Sequence, residues 1–258
     1  MECKNCQTIL RTDYSFCPDC GAKVIRNRLT IKNLFRDVTE RYFNVDNTFL
    51  KTFWHLFTKP ELVIEGYIKG IRRKYLNPVS YIGIALTLSG LIVFLVKKKA
   101  SQIDFDIFGV GTSVASEKAM EITFDFQAIL FVLYIPMMAI AAWLCFQEKK
   151  YNFSERLVIF TYTLAHYSIF IFVPSILVLV FSAEYYGSLS TFALLFMYCY
   201  SAFVIKRISN EKGASSYAKI LLFWVLFTIL YSSISIIIPI IMLITGEVSL
   251  QDFKPIKM

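Results

Sequence analysis

Four cysteines near the N-terminus form the strongest chemical signal in this sequence. Cys3, Cys6, Cys17 and Cys20 follow the pattern Cys-x2-Cys-x10-Cys-x2-Cys. Each Cys-x-x-Cys pair can present two thiolates to one ion, and two pairs complete a tetrahedral Zn(II) site. Gly21 directly follows the second pair and permits a tight turn beside the metal. Four thiolates leave no open coordination position, so the pattern predicts a structural zinc ribbon over residues 1–22, with an iron–sulfur cluster or a redox dithiol as alternatives.

The surroundings of these cysteines favour metal binding over disulfide formation. Residues 1–22 are too few to bury a hydrophobic core, so they need a stabilising cross-link such as a bound zinc ion. The first seven residues are polar and do not resemble a signal peptide, so we expect the N-terminus to lie in the reducing cytoplasm. Paired cysteines in that compartment bind metal more often than they form disulfides.

A second candidate site lies within a long apolar stretch around His166. Tyr162 and Tyr167 flank this histidine in the sequence. Ionisable groups inside a bilayer are costly and often functional, so the three residues could belong to a polar site on a proton or ion path. The alternative is a structural imidazole that forms a hydrogen bond to a neighbouring helix.

A basic cluster, Arg72, Arg73 and Lys74, directly precedes the first long apolar stretch. Residues 1–77 carry 14 Lys/Arg against 8 Asp/Glu, a net charge of +6. Such a cluster attracts anionic lipid or a partner surface, or serves only as an orientation signal. Nucleic acid is a less suitable partner, because no set of base-stacking aromatic residues accompanies the charges.

Familiar catalytic patterns are absent from the sequence. It contains no His-Glu-x-x-His, no Gly-x-Ser-x-Gly, no phosphate-binding loop and no dinucleotide fingerprint, and only two histidines in all. We therefore expect a protein that is not an enzyme.

Composition and hydropathy place these candidate sites on a membrane protein. Of the 258 residues, 56% are hydrophobic and only 18% are charged, whereas soluble domains have about 45–50% and about 25% respectively. Five stretches approach or exceed the 20 or so helical residues that span a bilayer core, so we predict an all-α polytopic membrane domain over residues 78–258. The predicted spans are residues 78–96, 127–146, 157–182, 187–205 and 218–246.

The region between the cysteines and the first span has helical periodicity. Beyond a basic linker that starts at residue 23, the pattern predicts amphipathic helices over residues 30–42, 48–58 and 60–76. Aromatic faces and basic flanks are typical of helices that lie on a membrane surface. A small cytoplasmic bundle is the alternative.

Lysine and arginine in the loops predict the orientation of the spans. If the N-terminus lies inside, the loops after the second and fourth spans also lie inside, and these two loops carry most of the basic residues that connect the spans. One group violates this rule, because Lys97, Lys98 and Lys99 would lie outside. We expect these lysines to reach the interface, beside a loop that is otherwise acidic.

Residues 44–82 resemble the bacterial domain of unknown function 3667 family. The resemblance is carried by the stretch Thr52–Pro60, the step from Tyr67 to Gly70, and Arg73-x-Tyr75-x-Asn77-Pro78. A later segment is similar through Glu155, Leu157 and His166. Members tend to place a zinc ribbon before this run, so the resemblance implies a multi-span membrane protein and leaves its activity open.

Two functional hypotheses follow. The first is an adaptor or scaffold of the bacterial inner membrane, whose cytoplasmic zinc ribbon recruits a protein partner or anionic lipid. The second is a small-solute or ion transporter with a polar path near His166. Membrane lipids, a cytoplasmic protein and a second copy of the chain are the expected partners.

Overall fold

The protein is all-helical in the part of the chain that the structure describes. The computed structural model describes residues 2–22, 24, 45–103, 105, 113–146, 151–209 and 213–253. The chain divides into two compact units, Met1–Asp46 and Asn47–Met258. Within the described residues there is no strand longer than one isolated antiparallel bridge, between Glu2 and Ile9. The predicted helix over residues 30–42 lies outside the described residues.

Eight α-helices follow in chain order within the described residues. Their bounds are α1 Val45–Thr58, α2 Pro60–Ile68, α3 Pro78–Lys98, α4 Val114–Asp125, α5 Gln127–Cys145, α6 Phe153–Phe181, α7 Tyr186–Ser209 and α8 Ala214–Thr245. Short 3-10 helices cover Ala100–Gln102, Ala183–Tyr185 and Leu250–Phe253.

Five of these helices are long and apolar enough to cross a bilayer. They are α3, α5, α6, α7 (with the preceding 3-10 turn) and α8. The prediction of five spans is thereby confirmed, and each helix lies over the stretch of sequence from which it was predicted. Pro174 and Pro239 lie inside α6 and α8 without ending either helix. The described chain is therefore a membrane-spanning helical protein.

Side-chain caps explain where two of the spans begin. Asn77 caps α3 by accepting a hydrogen bond from the Ser80 backbone N–H at 2.8 Å, and Pro78 occupies the first helical position. Asn152 and Glu155 form a reciprocal capping box at the start of α6. This box starts α6 four residues before the predicted span at 157, because the cap lies ahead of the first strongly apolar turn.

Helix α2 is shorter than the predicted helix over residues 60–76, and this part of the prediction is wrong. It ends at Ile68 because Gly70 adopts a left-handed conformation, with φ of 94°. The Gly70 N–H donates to the Tyr67 carbonyl at 3.1 Å, and the Ile71 N–H donates to the Gly66 carbonyl at 2.8 Å. These two bonds form a Schellman motif, which stops the helix at a glycine.

Helix α4 lies where the sequence predicts an acidic loop, so this part of the prediction is wrong. Ser113 and Ser116 cap its first turn reciprocally. Ala115, with Ala119 and Ile122 beside it, packs against residues near the end of α8 such as Met242. The stripe of Ala115, Ala119 and Ile122 has helical spacing, and it is the signal that could have identified this helix.

Helices α1 and α2 pack on the membrane bundle. Leu56 of α1 and Val63 and Ile64 of α2 have no exposed surface and belong to the main core. The Tyr200 hydroxyl of α7 donates to the Leu56 carbonyl at 2.9 Å. The opposite face of α1 stays open, with Trp54 exposed by 64%. One face of α1 therefore contacts protein and the other is free to contact lipid.

Candidate functional site

The four N-terminal cysteines converge on one point. Their sulfur atoms all lie within 4.8 Å of one another. Two contacts join the pairs, with 3.7 Å between Cys3 Sγ and Cys20 Sγ and 3.5 Å between Cys6 Sγ and Cys17 Sγ. The structure thus brings together the four residues predicted as metal ligands.

The two Cys-x-x-Cys segments have the same backbone geometry. The N–H of Cys3 donates to the Thr8 carbonyl and the N–H of Gln7 donates to the Cys3 carbonyl, both at 2.8 Å. Cys17 repeats both bonds, with the Ala22 carbonyl at 2.8 Å and the Gly21 N–H at 3.0 Å. The residue after each second cysteine is left-handed, with φ of 65° at Gln7 and 69° at Gly21. The segments are therefore two matching knuckles around one centre.

This arrangement fits a tetrahedral zinc ion. Zinc–sulfur bonds of about 2.3 Å place the sulfur atoms of a tetrahedral site about 3.8 Å apart. The separations of 3.5 and 3.7 Å between the pairs agree with that value. Cys3, Cys6, Cys17 and Cys20 would hold the ion, and a bound zinc would supply the folding free energy that this small module needs.

Neighbouring groups support the thiolate of Cys20 and the packing of the module. A hydrogen bond from the Asn5 side chain is the main cause that lowers the pKa of Cys20 to about 6, so this sulfur favours the thiolate that binds metal. The Thr8 hydroxyl donates to the Asp19 carboxylate at 2.7 Å and joins the two knuckles. Cys3, Cys17 and Leu10 form a small buried cluster.

His166 lies deep in the bundle among aromatic rings. Its Nδ1 forms a hydrogen bond of 2.8 Å with the Tyr81 hydroxyl, and this bond links α6 to α3. The rings of Phe53 and Tyr200 lie 4.8 and 5.1 Å from the imidazole, between ring centroids. His166 Nε2 has no hydrogen-bond partner among the described residues. This geometry fits an imidazole that ties helices together within an aromatic cluster.

The structure separates the two tyrosines that were grouped with His166. Tyr162 faces the same cluster as the histidine, and its hydroxyl donates to the Leu76 carbonyl at 2.7 Å. Tyr167 instead lines a cavity of about 350 Å³ between the spans. His166 is not among the residues that line this cavity. The predicted polar site is therefore divided between a packed cluster and a cavity.

The basic residues Arg72, Arg73 and Lys74 are exposed in the loop before α3. The Arg72 guanidinium lies 5.6 Å from the centroid of the Tyr67 ring, and Lys74 Nζ lies 5.6 Å from that of Tyr75. None of the three forms an ion pair with another residue in the described ranges. The described part of the protein therefore does not neutralise these three charges.

Arg156 is a buried basic residue whose role the sequence pattern does not reveal. Its guanidinium donates to the carbonyls of Ala142 and Phe146 at 3.1 and 2.6 Å, where α5 ends, and to the Tyr151 carbonyl at 3.3 Å. A cation is favourable at the C-terminal end of a helix, where carbonyl groups lack partners. Arg156 therefore positions α5 against the start of α6.

Two of the three lysines that violate the charge rule have partners inside the protein. Lys97 forms an ion pair with Asp125 at the end of α4. Lys99 Nζ donates to the Leu179 carbonyl near the end of α6 at 2.6 Å. Two of the three charges thus serve local contacts at this end of the bundle.

One comparison with known proteins gives a match. The family model described as Protein of unknown function (DUF3667) matches residues 46–90. No curated protein and no solved structure shows a significant match to this chain. The matched segment holds α1, α2, the loop with Arg73 and Tyr75, and the part of α3 that carries Tyr81. The resemblance to the DUF3667 family is thereby confirmed over residues 46–90 of this membrane-spanning helical chain.

Proposed function

We propose that this protein is a non-enzymatic adaptor of the bacterial inner membrane, whose N-terminal zinc module recruits a protein partner in the cytoplasm. The observation that carries the proposal is the convergence of four cysteine sulfurs within 4.8 Å. Four sulfur ligands saturate zinc and leave no position for a reacting water, so the ion would shape a surface without performing catalysis. A module that forms its own compact unit, in a chain that also carries five candidate spans, suits recruitment to a membrane.

The distribution of charge supports a cytoplasmic N-terminal side. Arg207, at the end of α7, contacts Glu61 of α2 at 3.4 Å and donates to the Thr58 carbonyl at 3.1 Å. Tyr151, before α6, donates to Glu65 of α2 at 3.3 Å. The ends of the spans near Arg207 and Arg156 therefore lie at the same side as α1, α2 and the basic loop. Positive residues gather on the cytoplasmic side of membrane proteins.

Anionic lipid is the second partner in this proposal. Arg72, Arg73 and Lys74 are exposed, and Leu50 and Trp54 of α1 extend from the same matched segment with 62% and 64% of their surface exposed. Tryptophan and basic residues together are characteristic of the lipid–water interface. Each such charge would contribute about 1 kcal/mol of attraction to an anionic surface.

The transport alternative has weaker support in the geometry. His166 lies among aromatic rings and is not one of the residues that line the cavity. Among the described residues, those that line the cavity include no Asp, Glu, Lys, Arg or His. An ion path through a membrane domain usually contains such groups, so the cavity suits an uncharged molecule better than an ion.

A pull-down in mild detergent tests the adaptor proposal. The full chain is compared with the double variant Cys17→Ser/Cys20→Ser, which removes one knuckle. Cys199→Ser is the matched control, because it makes the same chemical change at an exposed position of α7. We expect a cytoplasmic partner in fixed stoichiometry with the wild type and with Cys199→Ser, and none with the double variant.

The same samples show whether a loss of partner is specific. Membrane insertion and native mass, including the mass of any homo-oligomer, should be equal in all three proteins, because the bundle is a separate unit. Equal recovery of the partner by the double variant, or no stoichiometric partner with the wild type, would overturn the adaptor proposal.

A further inference from the structure

The cavity of about 350 Å³ is the feature of the bundle that the adaptor proposal does not use. Side chains of all five spans and of α4 line it, among them Gln127 at the start of α5 and Tyr231 of α8. Ligand sites in proteins occupy about 300–1,000 Å³ and are mostly apolar with a few convergent polar groups. The size and lining of this cavity fall within that description.

Four hydroxyl groups on the cavity wall have no hydrogen-bond partner in the part of the protein that the structure describes. They belong to Tyr167, Ser168 and Ser175 of α6 and to Tyr186 of α7. No hydrogen bond joins any of them to another residue within the described ranges. Polar groups at membrane depth are costly without a partner, because the hydrocarbon supplies none. The cavity therefore holds hydrogen-bonding capacity that the fold leaves unused.

Other hydroxyl groups of α6 do form hydrogen bonds within the protein. Thr161 and Thr163 donate to the carbonyls of Leu157 and Ile159, at 2.7 and 2.8 Å. Tyr162 donates to Leu76 at 2.7 Å. Serine and threonine in membrane helices commonly bond to the carbonyl one turn back. Ser168 and Ser175 do not, and their spacing of seven residues places both on one face of α6.

We propose that this cavity binds the head of a neutral glycerolipid, an uncharged lipid whose hydroxyl and ester oxygens bond to the hydroxyl groups of Tyr167, Ser168, Ser175 and Tyr186. A charged head would meet no opposite charge among the described residues of the wall, and its desolvation would be uncompensated there. Hydroxyl groups both donate and accept, so they suit an alcohol-and-ester head. The cavity is partly open and has room for about a dozen water-sized groups, so the acyl chains extend beyond it.

Photolabelling of the full chain in nanodiscs tests this assignment. The probe is a diazirine diacylglycerol, and its comparison lipid is a diazirine phosphatidylglycerol with the same chains. We expect saturable labelling of α6 and α7 by the diacylglycerol, displaced by unlabelled dioctanoylglycerol and about ten-fold stronger than labelling by the anionic lipid, a difference of about 1.4 kcal/mol.

Variants at the cavity wall complete the test. Tyr167→Phe/Ser175→Ala removes two hydroxyl groups without adding bulk, and Ala193→Phe fills the cavity from α7. Each should reduce diacylglycerol labelling by about ten-fold. Tyr185→Phe/Ser235→Ala is the matched control, with both residues exposed and away from the cavity, and should label like the wild type.

The hydroxyl variant should fold normally, since the groups it removes bond to nothing in the described protein. Equal labelling by the neutral and anionic lipids would show that the cavity binds acyl chains and does not discriminate between lipid head groups. Labelling that is not saturable, or that the hydroxyl variant leaves unchanged, would show a cavity occupied by water. Any of these results would overturn the proposal.

Discussion

Tyr81 and His166 are joined by a hydrogen bond of 2.8 Å across 85 positions of sequence. The bond connects the segment that matches the DUF3667 family to α6, the helix that packs against α3, α5 and α7. Around it, Tyr162 and Tyr200 bond to the carbonyls of Leu76 and Leu56, in the loop before α3 and in α1. The matched segment is thus held on the bundle by hydrogen bonds from two spans.

Removing the Tyr81 hydroxyl should destabilise the bundle. Tyr81→Phe leaves both ring nitrogens of His166 without a partner among the described residues, and we expect a loss of about 1 kcal/mol in the free energy of unfolding. Unfolding in mixed detergent micelles measures this change. Tyr185→Phe is the control, because Tyr185 is 61% exposed and should show no loss. Equal stability of Tyr81→Phe and wild type would contradict a supporting role for this bond.

Arg156 should contribute more to the free energy of unfolding than any exposed basic residue. Arg156→Met removes the cation that serves the carbonyls of Ala142 and Phe146, and we expect a loss of about 2–3 kcal/mol, since hydrogen bonds to charged groups are strong. Arg156→Lys should cause a smaller loss of stability, because an ammonium group keeps the charge but cannot replace the paired hydrogen bonds of the guanidinium group. The same unfolding assay applies.

Arg73→Met is the matched control for Arg156, since Arg73 is exposed. It should keep the stability of the wild type while Arg156→Met loses it. An equal effect of the two substitutions would show that the buried guanidinium does not stabilise the end of α5.

The matching knuckles predict opposite effects of two substitutions on metal affinity. Gln7 and Gly21 occupy equivalent left-handed positions, which cost a side-chain-bearing residue about 1 kcal/mol or more. Gly21→Ala should weaken zinc binding about five-fold, and Gln7→Gly should strengthen it by a similar factor. Competition with a chromophoric chelator on the intact protein gives both values. Gly213→Ala, at a left-handed glycine outside the module, should leave the affinity unchanged.

Much of the membrane architecture could be predicted because it follows from the length of apolar runs. The five spans are therefore a local property of the sequence. Helix α4 was missed because its buried stripe consists mainly of small residues, Ala115 and Ala119, which have little hydropathy. Helix α2 was predicted too long because periodicity continues beyond Gly70, where the backbone turns.

The arrangement around His166 could not be predicted in the same way. Its partner Tyr81 and its neighbours Phe53 and Tyr200 come from three other helices, and helical periodicity does not encode which helices meet. Tyr162 and Tyr167 are close in sequence, yet they point to different surroundings because five positions correspond to about 1.4 turns of a helix. By contrast, the four cysteines lie within 18 positions of one another, and their spacing predicted their convergence.

The adaptor proposal depends on one structural zinc ion held by Cys3, Cys6, Cys17 and Cys20, and the metal content of the purified full chain tests this most directly. Elemental analysis should find one zinc per chain in the wild type and in Cys199→Ser, and none in Cys17→Ser/Cys20→Ser. Iron in place of zinc, or zinc that the double variant retains, would contradict the account.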